Sequence, residues 1–318
     1  MLRYLTYRFF SLVGVVFAIS VFCFLLVHLL PGNPAAAILG YANSPHNRAV
    51  LDRQLGLDKP LLQQYWVWFD NVLHGNLGTS QSGSTVAVIR ASFRYDIELV
   101  LYSQILAYLI SVPMSVFAAR RPRGLFDQTA SLGSFLLYCL PAFILVIWLI
   151  DALTLHLHVF PGPGYDPFPL ATSFWATIGD NLYGFLLPSI IIALGTVALF
   201  FRLLRTEMEF TLQEEYITVA RSKGLSNRRI LWRHALRPSM STLLASTGNN
   251  IALLVTGLFI VEVKFGLPGL GASLQGAIQA DNYVLVQGIA LVTAVTVVFL
   301  NFLLDIATIV IDPRVARA

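Results

Sequence analysis

Charged residues are scarce in this sequence. Only 12% of its 318 residues are Asp, Glu, Lys or Arg, whereas 56% are hydrophobic. An ordinary soluble domain is about 25% charged, so this chain has too few charges to cover a water-facing surface. The composition excludes a disordered chain and a typical cytosolic enzyme, and it indicates an integral membrane protein.

Cysteine is also rare. Cys23 and Cys139 each lie within an apolar run, where a cysteine behaves as a small hydrophobic residue. A disulfide-rich secreted domain is therefore excluded, and nothing else in the sequence supports a cysteine metal site. The six histidines are scattered along the chain. We predict no metal-ligating group and no cofactor bound by this chain.

Motifs that carry chemistry are missing as well. The sequence has no G-x-x-x-x-G-K-[ST] phosphate loop, no H-E-x-x-H and no G-x-S-x-G. We therefore predict no catalytic residue and no ATP hydrolysis by the chain itself. The net charge of +4 is small and gives no reason to expect a nucleic-acid partner. Movement of a solute across the membrane is the better hypothesis.

Six segments are long and apolar enough to cross a bilayer. We place these spans at about 9–30, 97–119, 128–150, 183–201, 239–261 and 284–311. Each must be helical, because an unpaired backbone in hydrocarbon costs several kcal/mol per group. The first run exceeds the 7–15 apolar residues of a signal peptide, so we expect a retained span.

Basic residues predict the orientation of these spans. If the N-terminus is cytoplasmic, fifteen Lys and Arg residues flank the spans on the inside, and the short outer loops contain only Lys264. This asymmetry favours an N-in/C-in arrangement. The predicted fold is an all-α integral membrane protein with six transmembrane helices in the cytoplasmic (inner) membrane.

The spans divide the chain into parts. Residues 1–96 hold the first helix and an extracytoplasmic subdomain at 31–96, residues 97–311 form the core, and residues 312–318 form a cytoplasmic tail. Within the subdomain, apolar residues recur at near-helical spacing over residues 55–73. We expect an amphipathic helix at the outer surface, with Trp66 and Trp68 as possible anchors. A structural cap and a partner-binding element are equally compatible with it.

The cytoplasmic loop at 202–238 is unusually long and charged. Glu214 and Glu215 begin a helical stretch that ends with Arg221 and Lys223, an order that complements the helix dipole. Gly224 is a natural helix stop, and Ser226 is a suitable N-cap for a second helix. We predict a short helix that docks into a groove of a partner. A solvated charged loop is the alternative.

Polar residues within the last two spans are candidates for a translocation path. Asn249 and Asn250 face about 100° apart on a helix, so at least one should face a polar path or an inter-subunit seam. Asp305 is an intramembrane acid and therefore a functional candidate. It also lies close enough to the inner end of its span to pair with Arg205 or Arg314, and we favour that structural role.

Residues 215–224 (EYITVARSKG) resemble the coupling-loop motif of permease subunits of type I ABC importers. The resemblance is to the first-permease type of the dipeptide, oligopeptide and nickel branch. Thr218 and Val219 depart from the Glu-Ala that commonly opens the motif, while Ala220 and Gly224 match it. Further matches cover nearly the whole chain: 28–34 (HLLPGNP), 55–60 (LGLDKP), 75–80 (GNLGTS), 265–271 (FGLPGLG) and 312–314 (DPR).

The resemblance implies an assembly and a mechanism. A second homologous permease subunit would enclose the path together with this chain, and two ATPase subunits would bind ATP and Mg beneath it. An extracytoplasmic binding protein would deliver a peptide from outside. Helix 214–224 would couple the ATPases to the path, and the residues of that role would be Glu214, Glu215, Tyr216, Ala220, Arg221, Lys223 and Gly224.

Two other functions stay open on the residues alone. A self-sufficient secondary transporter or channel for small polar solutes would show inverted repeats with matched broken helices, and we find none. A scaffold or an intramembrane enzyme lacks a catalytic constellation. The substrate also stays open among a dipeptide, a longer peptide, a glutathione-like peptide, an opine and a nickel chelate.

Overall fold

The protein is represented by a computed structural model that describes residues 2–29, 39, 44–55, 58–80, 83–164 and 174–311. Most of the predicted 28–34 motif and the predicted tail 312–318 lie outside these residues. The first elements of the chain are α1 Leu2–Leu29, α2 Pro45–Leu55, α3 Leu61–Leu73, β1 Thr79–Ser80, β2 Gly83–Ser84 and α4 Thr85–Arg120. Then follow α5 Leu125–Cys139, α6 Ala142–Ile150, a π-helical turn Asp151–His156, α7 Phe174–Thr211, α8 Glu215–Ser222, α9 Asn227–Arg229, a π-helical turn Ile230–Ala235, α10 Leu236–Phe265, α11 Leu270–Gln279 and α12 Tyr283–Ile311.

Four of the described helical segments are long and apolar enough to cross a membrane. They are Thr6–Leu29, Thr85–Arg120, Asp180–Thr211 and Tyr283–Ile306. Two bent helix pairs raise the number to six if each pair counts as one span. The second predicted span is longer than expected, because α4 begins at Thr85 rather than near residue 97.

The third predicted span, placed at 128–150, is not one continuous helix. Helix α5 ends at Cys139, α6 begins at Ala142, and the pair is bent by 102°. Leu140 has φ −76° and ψ 126°, the extended conformation that a following proline favours. Pro141 then opens α6, since the amides of Ile144 and Leu145 donate to its carbonyl.

The chain forms two compact units. The first comprises Ile97–Leu267 and the part of α12 from Leu303 onward, and the second comprises Leu2–Asp96 and Pro268–Phe302. The first unit has its apolar centre among α4, α7, α10 and the adjoining π-helical turn, where Phe200, Leu204 and Met208 are fully buried. Small residues such as Ala107 and Ala193 allow these helices to pack closely.

The second unit packs α3 against α1 through aromatic side chains. Tyr65 is buried, stands edge-on to Phe17 and Phe24, and its hydroxyl lies 2.9 Å from the Ser20 hydroxyl. The side chain of Trp66 is half exposed. An amphipathic helix within 55–73 was predicted, and the structure confirms it over Leu61–Leu73.

The rest of the second unit is organised around the ends of α4 and α11. A two-stranded hairpin pairs Thr79 with Ser84 just before α4. Asp96 caps α11, because its carboxylate accepts a hydrogen bond of 3.0 Å from the Leu270 amide. Ser92 and Ser273 join the same two helices at 2.8 Å.

Candidate coupling helix and buried polar seam

Helix α8 forms where the charge order predicted a short helix. It spans Glu215–Ser222, with Glu214 at the N-cap position and Lys223 at the C-cap. Gly224 follows in the left-handed region with φ +73°. The Gly224 amide donates to the Arg221 carbonyl and the Leu225 amide donates to the Ala220 carbonyl, which is a Schellman motif. The backbone therefore turns sharply at the glycine that the sequence marked as a stop.

One face of α8 is buried against the chain that follows it. Ile217 and Ala220, three residues apart, pack on Ile230 of the π-helical turn. Leu212 and Leu225, which flank the helix in sequence, complete this small apolar cluster. We call these five residues the foot of α8. The foot holds α8 against the π-helical turn that precedes α10.

The opposite face of α8 is exposed. Val219 is 52% exposed, and the side chains of Glu214, Glu215, Arg221 and Lys223 are exposed as well. This face combines an exposed apolar residue, Val219, with charges of both signs.

Tyr216 lies at the edge of this exposed face. Its hydroxyl donates to the His234 carbonyl at 3.3 Å and so ties α8 to the π-helical turn. Desolvation and the nearby Glu214 carboxylate raise the pKa of Tyr216 above its ordinary value.

The return from α8 to α10 begins as the sequence predicted. The Ser226 hydroxyl accepts from the Arg229 amide at 3.4 Å and caps α9. The chain then widens into the π-helical turn Ile230–Ala235 before α10 begins. Sequence reasoning missed this widening, because no residue type marks a π-turn. Such turns are frequent at functional sites.

A partly buried ion pair links α7 to α5. Arg205 of α7 contacts the Asp127 carboxylate through Nε at 2.5 Å and through Nη2 at 2.8 Å. The Arg123 amide also donates to Asp127, and Glu209 lies 3.4 Å from Arg205. Arg205 was one of two predicted partners of Asp305, and these contacts engage it with Asp127 and Glu209. The other, Arg314, lies outside the described residues.

A polar seam runs through the first unit and contains one of the predicted path residues. The Asn250 side-chain oxygen accepts from Gln104 at 3.0 Å and from Thr196 at 3.3 Å, and all three residues are buried. Tyr108 and Thr247 hydrogen-bond between the same α4 and α10 helices. Asn249 is exposed, and Asp305 is partly exposed. The two adjacent asparagines therefore face different environments, as their 100° separation predicted.

A second polar cluster, which sequence reasoning missed, joins α4 to α7. The Asn181 amide nitrogen donates to Glu98 at 2.7 Å, and the Tyr102 hydroxyl donates to the Asn181 oxygen at 2.9 Å. Glu98 lies near the start of the second predicted span, and an acidic residue at such a position needs a polar partner. Its charge could therefore have been used to predict a polar contact there. Asn181 lies about eighty residues away, and its role could not be found from spacing.

The described part of the chain brings together no group of three or more His, Cys, Asp or Glu residues that could hold a metal ion. Cys23 is buried and Cys139 is exposed, and both are free thiols. The described residues form a helical membrane protein in which one face of α8 is exposed and the other packs on a small apolar foot.

Comparison with known protein families and sequences agrees with this geometry. Residues 111–317 match the family described as "Binding-protein-dependent transport system inner membrane component", and residues 1–112 match the family that describes the N-terminal part of such a membrane component. These two matches cover nearly the full chain.

Individual relatives are similar over their full length. The chain is 32% identical to the dipeptide transport system permease protein DppB of Escherichia coli (strain K12), with 99% of each chain covered. It is 32% identical to a putative peptide permease protein of Brucella suis and 30% identical to the oligopeptide transport system permease protein AppB of Bacillus subtilis, again with 99% of each chain covered.

The apolar helices and the family matches place the chain in the inner membrane as a multi-pass protein. Such a subunit is a non-catalytic component of a transporter. The chain belongs to the family of inner membrane components of binding-protein-dependent transport systems.

Proposed function

We propose that this chain is a permease subunit of an ATP-driven importer of dipeptides or oligopeptides, and that α8 couples it to the ATPase subunits. The observation that carries the proposal is the construction of α8, which exposes Val219 and a row of charges while Ile217 and Ala220 anchor it. The names of relatives that are similar over their full length support a peptide as the substrate.

The proposed assembly follows the family. The six spans lie N-in/C-in, a second homologous permease subunit completes the path, and an extracytoplasmic binding protein delivers the peptide. Two ATPase subunits bind ATP and Mg, while this chain binds no cofactor. Family membership gives no support to a self-sufficient transporter or channel, which would need neither ATPases nor a binding protein.

The foot of α8 suggests how a displacement of α8 would reach α10. A partner that binds the exposed face would move α8 as a unit, because the Schellman turn at Gly224 fixes the end of the helix. Ile217 would then press on Ile230, and the π-helical turn would pass the displacement to α10. The permease has an inward-facing and an outward-facing state. ATP binding can shift the equilibrium between them only by the difference in free energy with which the ATPases bind α8 in the two states.

The path residues fit this scheme in different ways. Asn249 is exposed and is free to line the path in the assembly, whereas Asn250 lies in the polar seam and would shape the path by holding α10 against α4. Asp305 remains a candidate path residue. It lies on α12, which is one of the helices long and apolar enough to cross a membrane.

A charge placed on the exposed face of α8 tests the coupling. Val219→Asp should lower ATP-driven peptide uptake in proteoliposomes containing the full complex about tenfold, because it buries a charge at the centre of a docking face. The matched control is Val67→Asp on α3, since Val67 and Val219 are each 52% exposed. Uptake and ATP hydrolysis are measured together, so that the peptide transported per ATP is known.

Two outcomes would contradict the proposal. An equal fall in the peptide transported per ATP in the two aspartate variants would show that α8 has no special role in coupling. Peptide uptake by this chain without ATPase subunits, driven by an ion gradient, would favour a self-sufficient transporter. A photoreactive residue at position 219 should crosslink to an ATPase subunit, and one at position 67 should not.

A further inference from the structure

A groove in the first unit lies between the end of α4 and the segment that follows α8. Its volume is about 410 Å³, and its walls include Val116, Phe117 and Arg120 of α4 together with Arg228, Leu231 and Trp232. We call it the basic groove. Its volume falls in the usual range for sites that hold small molecules or headgroups. Neither α8 nor its foot contributes to these walls.

Two guanidinium groups give the basic groove its charge. Arg120 ends α4 and Arg228 belongs to α9, so the two cations come from separate elements and face one shared space. None of the described residues that line the groove is acidic. Arginine pairs bind phosphate oxygens with directed, charge-assisted hydrogen bonds. The groove is therefore complementary to a phosphate diester.

Apolar side chains occupy the rest of the wall. Phe117 is 54% exposed and Trp232 is 43% exposed, although both lie beside buried neighbours, Val116 and Leu231. Val116 and Phe117 belong to a helix of membrane-spanning length, immediately before the basic run that starts at Arg120. Tryptophan beside arginine at the end of a span is typical of the membrane–water interface.

We propose that the basic groove binds the headgroup of an anionic phospholipid in the leaflet at this end of α4, with its acyl chains along Phe117. The position explains why the ligand is a lipid rather than a soluble phosphate, because the apolar wall belongs to the span itself. Basic pockets between transmembrane helices are known to hold such headgroups. A bound lipid would join α4 to the return segment behind α8.

Trp232 provides a local probe of this site. The complex is reconstituted in nanodiscs that carry brominated phosphatidylglycerol or, at the same fraction, brominated phosphatidylcholine. The Trp232 signal is the fluorescence that is lost in a Trp232→Phe variant. We expect phosphatidylglycerol to quench it at roughly tenfold lower lipid fraction than phosphatidylcholine does.

Charge variants separate a site from general attraction. The double variant Arg120→Gln/Arg228→Gln should remove the preference for phosphatidylglycerol. The matched control is Arg229→Gln/Arg233→Gln, two exposed arginines of the same segment that do not line the groove, and it should keep the preference.

Three results would overturn the proposal. One is equal quenching by both lipids in the unmodified protein, and another is an equal loss of preference in the two double variants. The third is loss of the preference when millimolar inorganic phosphate is added, which would identify a soluble anion as the ligand. Each result is independent of ATPase coupling, because no step of transport is measured.

Discussion

The centre of the first unit and the foot of α8 are both built from buried apolar side chains, but they differ in extent. The centre joins α4, α7, α10 and a π-helical turn through many buried residues, whereas the foot has only three, Ile217, Ala220 and Ile230. Leu212 packs against both clusters. Elements with few buried contacts open locally at lower free energy than a core does. We therefore expect α8 to open locally at a lower free energy than the centre of the first unit does.

Deletion of a large side chain from each cluster gives the largest expected contrast. Phe200→Ala removes a fully buried ring that lies 5.4 Å from the Tyr108 ring, and it should lower the free energy of unfolding by about 3–5 kcal/mol. Ile217→Ala, at an equally buried position, should lower the stability of α8 by about 2 kcal/mol with little effect on the whole chain.

Thermal unfolding in detergent and hydrogen exchange measure these two effects. Phe200→Ala should lower the Tm, and Ile217→Ala should instead speed amide exchange within Glu215–Ser222. An equal fall in Tm for both variants would mean that the foot is part of the core and that the contrast between the regions is wrong.

The turn at Gly224 should give an intermediate effect. A Cβ at this position meets no atom within 4 Å, so only the positive φ of 73° disfavours other residues. Gly224→Val should cost about 1–2 kcal/mol locally and weaken coupling, while Gly224→Asn, which tolerates this conformation, should be the milder control. The measurement is the amount of peptide transported per ATP hydrolysed. If this ratio is the same for Gly224→Val and Gly224→Asn, the turn at Gly224 has no role in coupling.

The polar seam should give the smallest effect on stability. Asn250→Val leaves Gln104 and Thr196 without their shared acceptor, and hydrogen bonds of this kind between membrane helices average about 0.6 kcal/mol. Asn249→Val, at the exposed neighbouring position, should leave the Tm unchanged. A larger loss of stability from Asn249→Val would place that residue, and not Asn250, in a packed seam.

Local signals predicted the ends of α8 well. Acidic residues at its start, basic residues at its end and Gly224 beyond it act within one or two turns of backbone, so they can be recognised along the chain. The Ser226 cap was predictable for the same reason.

Prolines show that neighbouring residues alone do not predict where a helix breaks. Pro141 separates α5 from α6 with a bend of 102°, but Pro113 and Pro188 lie inside the continuous helices α4 and α7. A proline removes one backbone hydrogen bond in each case. Whether the helix continues past the proline depends on its packing against neighbouring helices. The residues next to the proline in sequence do not indicate that packing.

The sequence by itself determined the class of the molecule, because apolar runs in a chain with few charges leave helices in a bilayer as the stable solution. It also determined the ends of α8, since caps and dipole act over a few residues. Tertiary structure alone decided that Arg205 pairs with Asp127, that Gln104 meets Asn250, and that Arg120 and Arg228 share a groove. These partners are far apart in sequence, and only helix packing brings them within reach of one another.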